Sequence, residues 1–381
     1  MKVFLSRTLI LFYVATLGTA TSFYALLTAV PIRAMATGGG VGAGMATGAL
    51  MLSTVAAEVL SPWLITRYGY RSVFAWGAVL LGLPALALSL SDSLAAILAV
   101  CLVRGLGFGL VVVVGSALVA TLVPAERRGE GLGVYGIVFG VPSIVMLPLG
   151  VWLADRVGYD AVVVAGALAG LVGLVVLRIP RVPPAADASR QQPGRMGQWI
   201  RYAIAFATTA MACGIVVTFL PAVSDIVEVA LLVQAATATL ARWAAGRVGD
   251  KYGVSRLLIP GAVLSAAGMA ALIMASDPFA TLAGMALFGA GFGISQNASL
   301  TAMYQHAPMS SYGTVSAVWN FAYDAGIGAG AAGFGILVTA TGFPLAFGIT
   351  AAFMLAVTAA ALVRRTGTAE RSHPLSPARQ S

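Results

Sequence analysis

Runs of apolar residues about twenty long, parted by short polar or glycine-containing breaks, follow one another along the whole chain. They lie near 8–31, 41–65, 72–90, 94–122, 131–153 and 160–178. After one long polar break come 200–222, 226–246, 256–275, 279–304, 312–338 and 343–363. About 20 apolar residues carry a helix across the hydrocarbon of a bilayer. The pattern therefore predicts an all-α integral membrane protein with twelve transmembrane helices. Lys2 and Arg7 precede the first run as they would in a secretory signal, but the run is too long for a signal core and reads as the first span.

The long break, IPRVPPAADASRQQPGRMGQ at 179–198, is rich in Pro, Ala, Ser and Arg and predicts a solvated linker. It divides the chain into a six-helix bundle over 1–178 and a second over 199–364, with a polar tail over 365–381. The halves echo each other. Gly69 and Gly253, Gly107 and Gly291, and Gly158 and Gly342 are all 184 positions apart, and RGLGFGL at 104–110 aligns with FGAGFGI at 288–294 at that offset. Such a register points to two pseudo-symmetric bundles, a parallel repeat about an axis along the membrane normal. In the first helix of each half the register slips: LLTAVP at 26–31 matches VVTFLP at 216–221.

Charge then orients the spans. Of 22 Lys and Arg residues, 18 fall on the side that holds both termini, among them Arg7, Arg67, Arg71, Arg247, Lys251 and Arg256. The positive-inside bias predicts cytoplasmic N and C termini in a multi-pass protein of the plasma membrane. Composition excludes other classes. With 59% hydrophobic and 9% charged residues, the chain cannot cover a water-facing surface. The net charge of +9 lies at helix ends and not in a basic, aromatic-interleaved patch, so no nucleic-acid partner is expected. Cys101 and Cys213 lie deep in apolar runs and read as small core residues. No metal spacing, nucleotide loop or Ser-His-Asp set occurs, so neither an enzyme nor a resident cofactor is expected. A monomer is expected.

One knot of charge stands out. AAGRVGDKYGVSRL at 244–257 joins the eighth and ninth runs, and SPWLITRYGYRSV at 61–73 is its weaker copy. GRVGDKYGVSR resembles the loop signature of the major facilitator superfamily at Gly246, Asp250, Lys251, Gly253 and Arg256. In the first copy Arg67, Gly69 and Arg71 remain, but Pro62 stands for the Gly and Thr66 for the Asp. RRGEGLGVYGIVFGVPSIVMLPLG at 127–150 resembles the glycine-rich antiporter signature of drug–proton exchangers, though its Gly-Pro-x-x-Gly-Gly is absent. The resemblance covers nearly the whole chain. It implies a transporter that works by alternating access, with the first helix of each triplet lining the pathway. Arg67, Arg71, Arg242, Gly246, Asp250, Lys251, Gly253 and Arg256 then form a cytoplasmic gate.

Ionisable residues inside spans are costly and so are candidates for function. Asp324 lies about 12 residues, or roughly 18 Å, into its helix, near the midplane. It and Glu58 are the candidates for proton coupling. The residue at offset 184 from Glu58 is Arg242, which leaves two readings: the two pair as a gate, or each has another partner. Arg104, also at mid-depth, serves an anionic group or a buried ion pair. Tyr24, Gln296, Asn320 and Tyr323 are the neutral cavity candidates. Few charges in the pathway and a membrane carboxylate favour proton-coupled efflux of small amphipathic molecules. Uptake of a sugar or an organic acid is the alternative. If Asp250 latches the cytoplasmic loop, Asp250→Asn lowers turnover with little change in substrate affinity, measured as initial rates in proteoliposomes. Unchanged rates would remove the latch.

Overall fold

A computed structural model describes residues 6–123, 128–182, 196–307 and 312–363. Every regular element among the described residues is helical, with ten α-helices and short 3-10 turns at their ends. They are α1 (Arg7–Gly82), α2 (Leu94–Leu122), α3 (Arg128–Arg156), α4 (Tyr159–Val172), α5 (Met196–Phe219), α6 (Val227–Tyr252), α7 (Leu258–Ala271), α8 (Pro278–Gln305), α9 (Tyr312–Thr341) and α10 (Phe343–Val363). All ten are long and apolar enough, with their 3-10 extensions, to cross a membrane.

Twelve helices were expected, and the difference lies in α1. Its 76 residues would make a straight rod of about 114 Å, against about 30 Å of hydrocarbon. It is not straight. Gly39 (φ 58°, ψ −155°) and Gly69 (φ 79°, ψ 157°) leave helical geometry and divide it into rods over 7–38, 40–68 and 70–82. At both places one glycine turns the chain without a loop, because only glycine takes positive φ without steric cost. The positive-φ glycines also follow the repeat: Gly69 pairs with Gly253, and Gly158 with Gly342, at the offset of 184. The segment 183–195, most of the expected linker, and the tail 365–381 lie outside the described residues.

Polar caps start several helices. Ser93 accepts from the Ala96 amide at 3.2 Å to open α2, and Asp277 accepts from Phe279 and Ala280 at 2.7 and 3.1 Å to open α8. At the end remote from the termini, Arg33 pairs with Asp92, and its guanidinium lies 4.9 Å from the ring centre of Tyr159.

What joins the helices is backbone proximity. In a bilayer the hydrophobic effect does not drive helix against helix, so packing depends on small residues that let backbones approach. A Cβ on Gly105 would stand 2.0 Å from the Leu50 carbonyl oxygen, and one on Gly289 would stand 2.4 Å from that of Gln234. For Gly109 the obstacle is Thr54 O at 2.4 Å, and for Gly293 it is Ala238 O at 2.1 Å. Gly107 would meet Leu81 N at 2.5 Å, and Gly291 would meet Ser265 N at 2.3 Å. In each of these pairs both the glycine and its obstacle are shifted by 184 positions, so the repeat holds at the level of individual contacts.

A further seam, outside that register, joins the rod 40–68 to α9. A Cβ on Gly44 would reach Ala331 O at 2.4 Å, one on Gly335 would reach Gly40 O at 2.5 Å, and one on Gly328 would touch Met51 Cβ at 2.6 Å. Beside it, the hydroxyls of Thr47 and Thr218 lie 2.9 Å apart. The apolar core divides accordingly. Toward the end remote from the termini, one cluster mixes Leu26, Val30 and Leu50 with Phe219, Phe334 and Phe347. At the terminal end, one cluster (Phe12, Phe74, Leu118) draws only on residues up to 182, and another (Trp199, Leu258, Met303) only on residues from 199 onward. Packing is thus shared at one end and split at the other.

Because backbone carbonyls as well as the Ser53 and Thr237 hydroxyls block the space, Gly105→Ala and Gly289→Ala each lower stability by about 1–3 kcal/mol. Thermal unfolding of the purified protein reads this as a lowered Tm, while Gly333→Ala, with nothing within 4 Å of the added atom, leaves the Tm unchanged.

Candidate functional site

Midway along the bundle, five residues singled out in the sequence converge. Tyr24 comes from the first rod of α1, Glu58 from the second, Arg242 from α6, and Tyr323 and Asp324 from α9. Asp324 is 4% exposed, and its carboxyl group interacts directly with that of Glu58. Glu58 Oε1 makes no hydrogen bond. Pro62, four residues on, lies inside the same helix and has no amide hydrogen to give the Glu58 carbonyl, so the helical ladder is interrupted beside this carboxyl group.

Tyr24 and Tyr323 stand within electrostatic reach of Asp324 on one side and of Arg242 on the other. Arg242 is exposed and makes no salt bridge to a carboxylate among the described residues. Glu58 and Arg242 therefore do not pair. Glu58 turns to Asp324 and Arg242 to Tyr24 and Tyr323, so of the two readings of Glu58 and Arg242 the one in which each has another partner describes this structure.

Aromatic rings wall this region from both halves of the chain. Phe206 stacks on Trp319 at 4.7 Å and 7°, and on Tyr323 at 5.8 Å and 11°. The indole NH of Trp319 donates to Ser299 Oγ at 2.9 Å, which fixes the plane of the stack. Opposite, Phe23 stacks on Phe108 at 3.5 Å and 5°, and Tyr24 meets Phe139 edge-on at 6.0 Å. Sequence reading missed Phe139, Phe206 and Trp319 as wall residues. The signal was there: Phe108 and Phe292, Tyr135 and Trp319, and Phe139 and Tyr323 are all separated by 184. At that offset the counterpart of Asp324 is Gly140, so the acidic pair has no symmetric copy.

The remaining candidates lie elsewhere. Arg104 is 1% exposed. Its Nε donates to Leu81 O at 3.1 Å and its Nη2 to Ser22 O at 3.2 Å, tying α2 to the first and third rods of α1. It borders a small void lined also by Leu26, Thr47, Leu50 and Cys101. No carboxylate pairs with it among the described residues, so the buried ion pair considered for it is not formed. Gln296 is 5% exposed and its Oε1 lacks a hydrogen bond, while Asn320 is half-buried.

Of the residues expected to form a gate, Arg67, Lys251 and Arg256 are exposed at the terminal end, and Arg71 Nη1 donates to Ile179 O at 3.2 Å. Gly246 is half-buried on α6, with Asn297 Nδ2 3.6 Å from the Cβ it lacks. Gly253 ends α6 at φ 91°. The Asp250 side chain lies outside the described residues.

Comparison with known proteins places this architecture. Structures of similar fold include the nucleoside transporter NupG, with a TM-score of 0.74 at 15% identity over 94% of this chain and 98% of that one. A POT family transporter in complex with a thioalcohol-conjugated peptide gives 0.77 at 13% identity over 94% and 96%. The inward open conformation of the xylose transporter XylE from E. coli gives 0.76 at 15% identity over 94% and 95%. No curated protein matches in sequence. The profile of the Major Facilitator Superfamily matches residues 12–331 and 227–380. With that match over most of its length, and with transporters as its structural neighbours, the chain belongs to the Major Facilitator Superfamily.

Proposed function

We propose that this protein is a secondary active transporter working by alternating access, coupled to protons through Glu58 and Asp324, and exporting small amphipathic molecules. The observation that carries the reading is the meeting of those two carboxyl groups, one on the second rod of α1 and the other on α9. Two carboxylates in contact repel. A proton between them replaces repulsion with a hydrogen bond, so its arrival and departure change the force between the helices that bear them. Those same helices form the glycine seam. Protonation is thereby linked to whether the two halves hold together on that side.

Counting the rods of α1 singly gives twelve crossings, six in a bundle before the linker and six after. The cation-rich terminal end is assigned to the cytoplasm by the positive-inside bias. Shared packing at the far end and split packing at the terminal end support a state open to the cytoplasm, with the aromatic walls and Arg242 reached from that side. The aromatic walls suit substrates with a large apolar part, and the few charges around them suit export of amphipathic compounds over sugars.

The test is accumulation of a panel of anionic and cationic amphipathic dyes in cells expressing the protein. Expression lowers the accumulation of at least one dye. Asp324→Asn, Glu58→Gln or a protonophore each restores it to the level of empty cells, with membrane expression unchanged. Full export by Asp324→Asn with the protonophore still effective would remove the carboxyl pair from coupling, and export insensitive to the protonophore would remove proton coupling itself.

A further inference from the structure

Arg242 poses a separate problem. It lies 15 positions past the start of α6 and 10 before its end, well inside a membrane-crossing helix, and it is exposed. An unpaired guanidinium facing hydrocarbon at that depth is strongly disfavoured. Its electrostatic neighbours show that it faces elsewhere: Tyr24 on α1 and Tyr323 on α9 belong to opposite halves of the chain, so Arg242 points between the halves. The carboxyl groups nearest this region, Glu58 and Asp324, are engaged with each other. An exposed cation is thus left without a carboxylate partner among the described residues. One of its two neighbouring tyrosines, Tyr323, lies 5.8 Å from both Phe206 and Trp319, and the planes of the three rings are within 13° of one another.

We propose that Arg242 and the Phe206–Trp319–Tyr323 stack form a binding site for an organic anion that carries a flat aromatic ring, such as an aromatic carboxylate. The guanidinium presents a planar fork of donors that matches a carboxylate in two parallel hydrogen bonds. Stacked rings offer a face on which a further ring lies at van der Waals distance. Tyr24, partly exposed beside the same cation, supplies a hydroxyl for a second polar atom of the ligand. The proposal names the anionic members among the amphipathic substrates and so rests on the transport reading above. It does not depend on coupling, since binding at equilibrium needs no gradient.

The test uses the full-length protein in phosphatidylcholine nanodiscs, where no anionic headgroup competes, and titration calorimetry with three probes of one ring system: 2-naphthoate, 2-naphthamide and 2-naphthylmethylammonium. In the wild type the carboxylate binds about tenfold or more tightly than the amide, in line with a charge-assisted hydrogen-bonded contact. Arg242→Gln removes that preference while leaving amide affinity within twofold, and Arg242→Lys restores part of it. Trp319→Leu weakens carboxylate and amide alike. The probe series on the unaltered protein keeps the proposal testable even where a variant fails to fold. Equal binding of carboxylate and amide by the wild type overturns it. Tighter binding of the ammonium probe also overturns it and assigns the cavity to the carboxyl pair. Carboxylate selectivity in a protein whose dye export ignores protonophore leaves this site standing while the coupling reading falls.

Discussion

Everything in this bundle depends on how closely two helix backbones can approach when neither has a hydrophobic reason to leave lipid. Glycines at 105, 107 and 109 on α2, and at 289, 291 and 293 on α8, bring carbonyl oxygens and amides of neighbouring helices to distances that no side chain permits. With backbones so near, dispersion and weak CH contacts along the whole line of approach supply the attraction that water would supply in a soluble core. The helices so positioned carry side chains of the mid-depth cluster and its aromatic surround. Phe108 and Phe292 lie between the glycines that bring their helices in, and Arg242 follows by four residues the alanine against which Gly293 packs.

Much of this was legible in sequence, because the bilayer imposes length and the duplication imposes register. Runs of apolar residues marked the spans, and the offset of 184 that linked single glycines also links their obstacles, the turn glycines and the aromatic walls. The joins at Gly39 and Gly69 were visible as gaps between runs, but not as turns that a single glycine makes without a loop. Charged residues were harder. Depth along a helix can be counted from its end, which found Asp324, Glu58, Arg104 and Arg242. Azimuth cannot be counted without knowing the neighbours. Arg104 points into the packing of the first half and is held by two carbonyls, whereas Arg242 points between the halves. Their different surroundings follow from rotation about the helix axis.

The duplicated scaffold is symmetric in its contacts and asymmetric in its chemistry. Glu58 and Arg242 are counterparts of opposite sign, and Asp324 answers to a glycine. In a frame whose two halves pack alike, a bias between alternative arrangements would have to come from positions where the copies differ. These two differences lie at mid-depth, where a charge change costs most in an apolar surround and so has the greatest leverage.

The seam between the rod 40–68 and α9 has a mechanical consequence. Its facing surfaces are largely main chain and small side chains, Gly40, Gly44 and Gly48 against Gly328, Ala331 and Gly335, with Val338 over Gly40 and Met51 over Gly328. Interlocked large side chains would have to withdraw one by one for such a joint to part, each changing rotamer on the way. Faces this smooth would part as a valve disc leaves its seat, with little to unhook, and would reseat in the same register because the shape of the backbone itself is the guide.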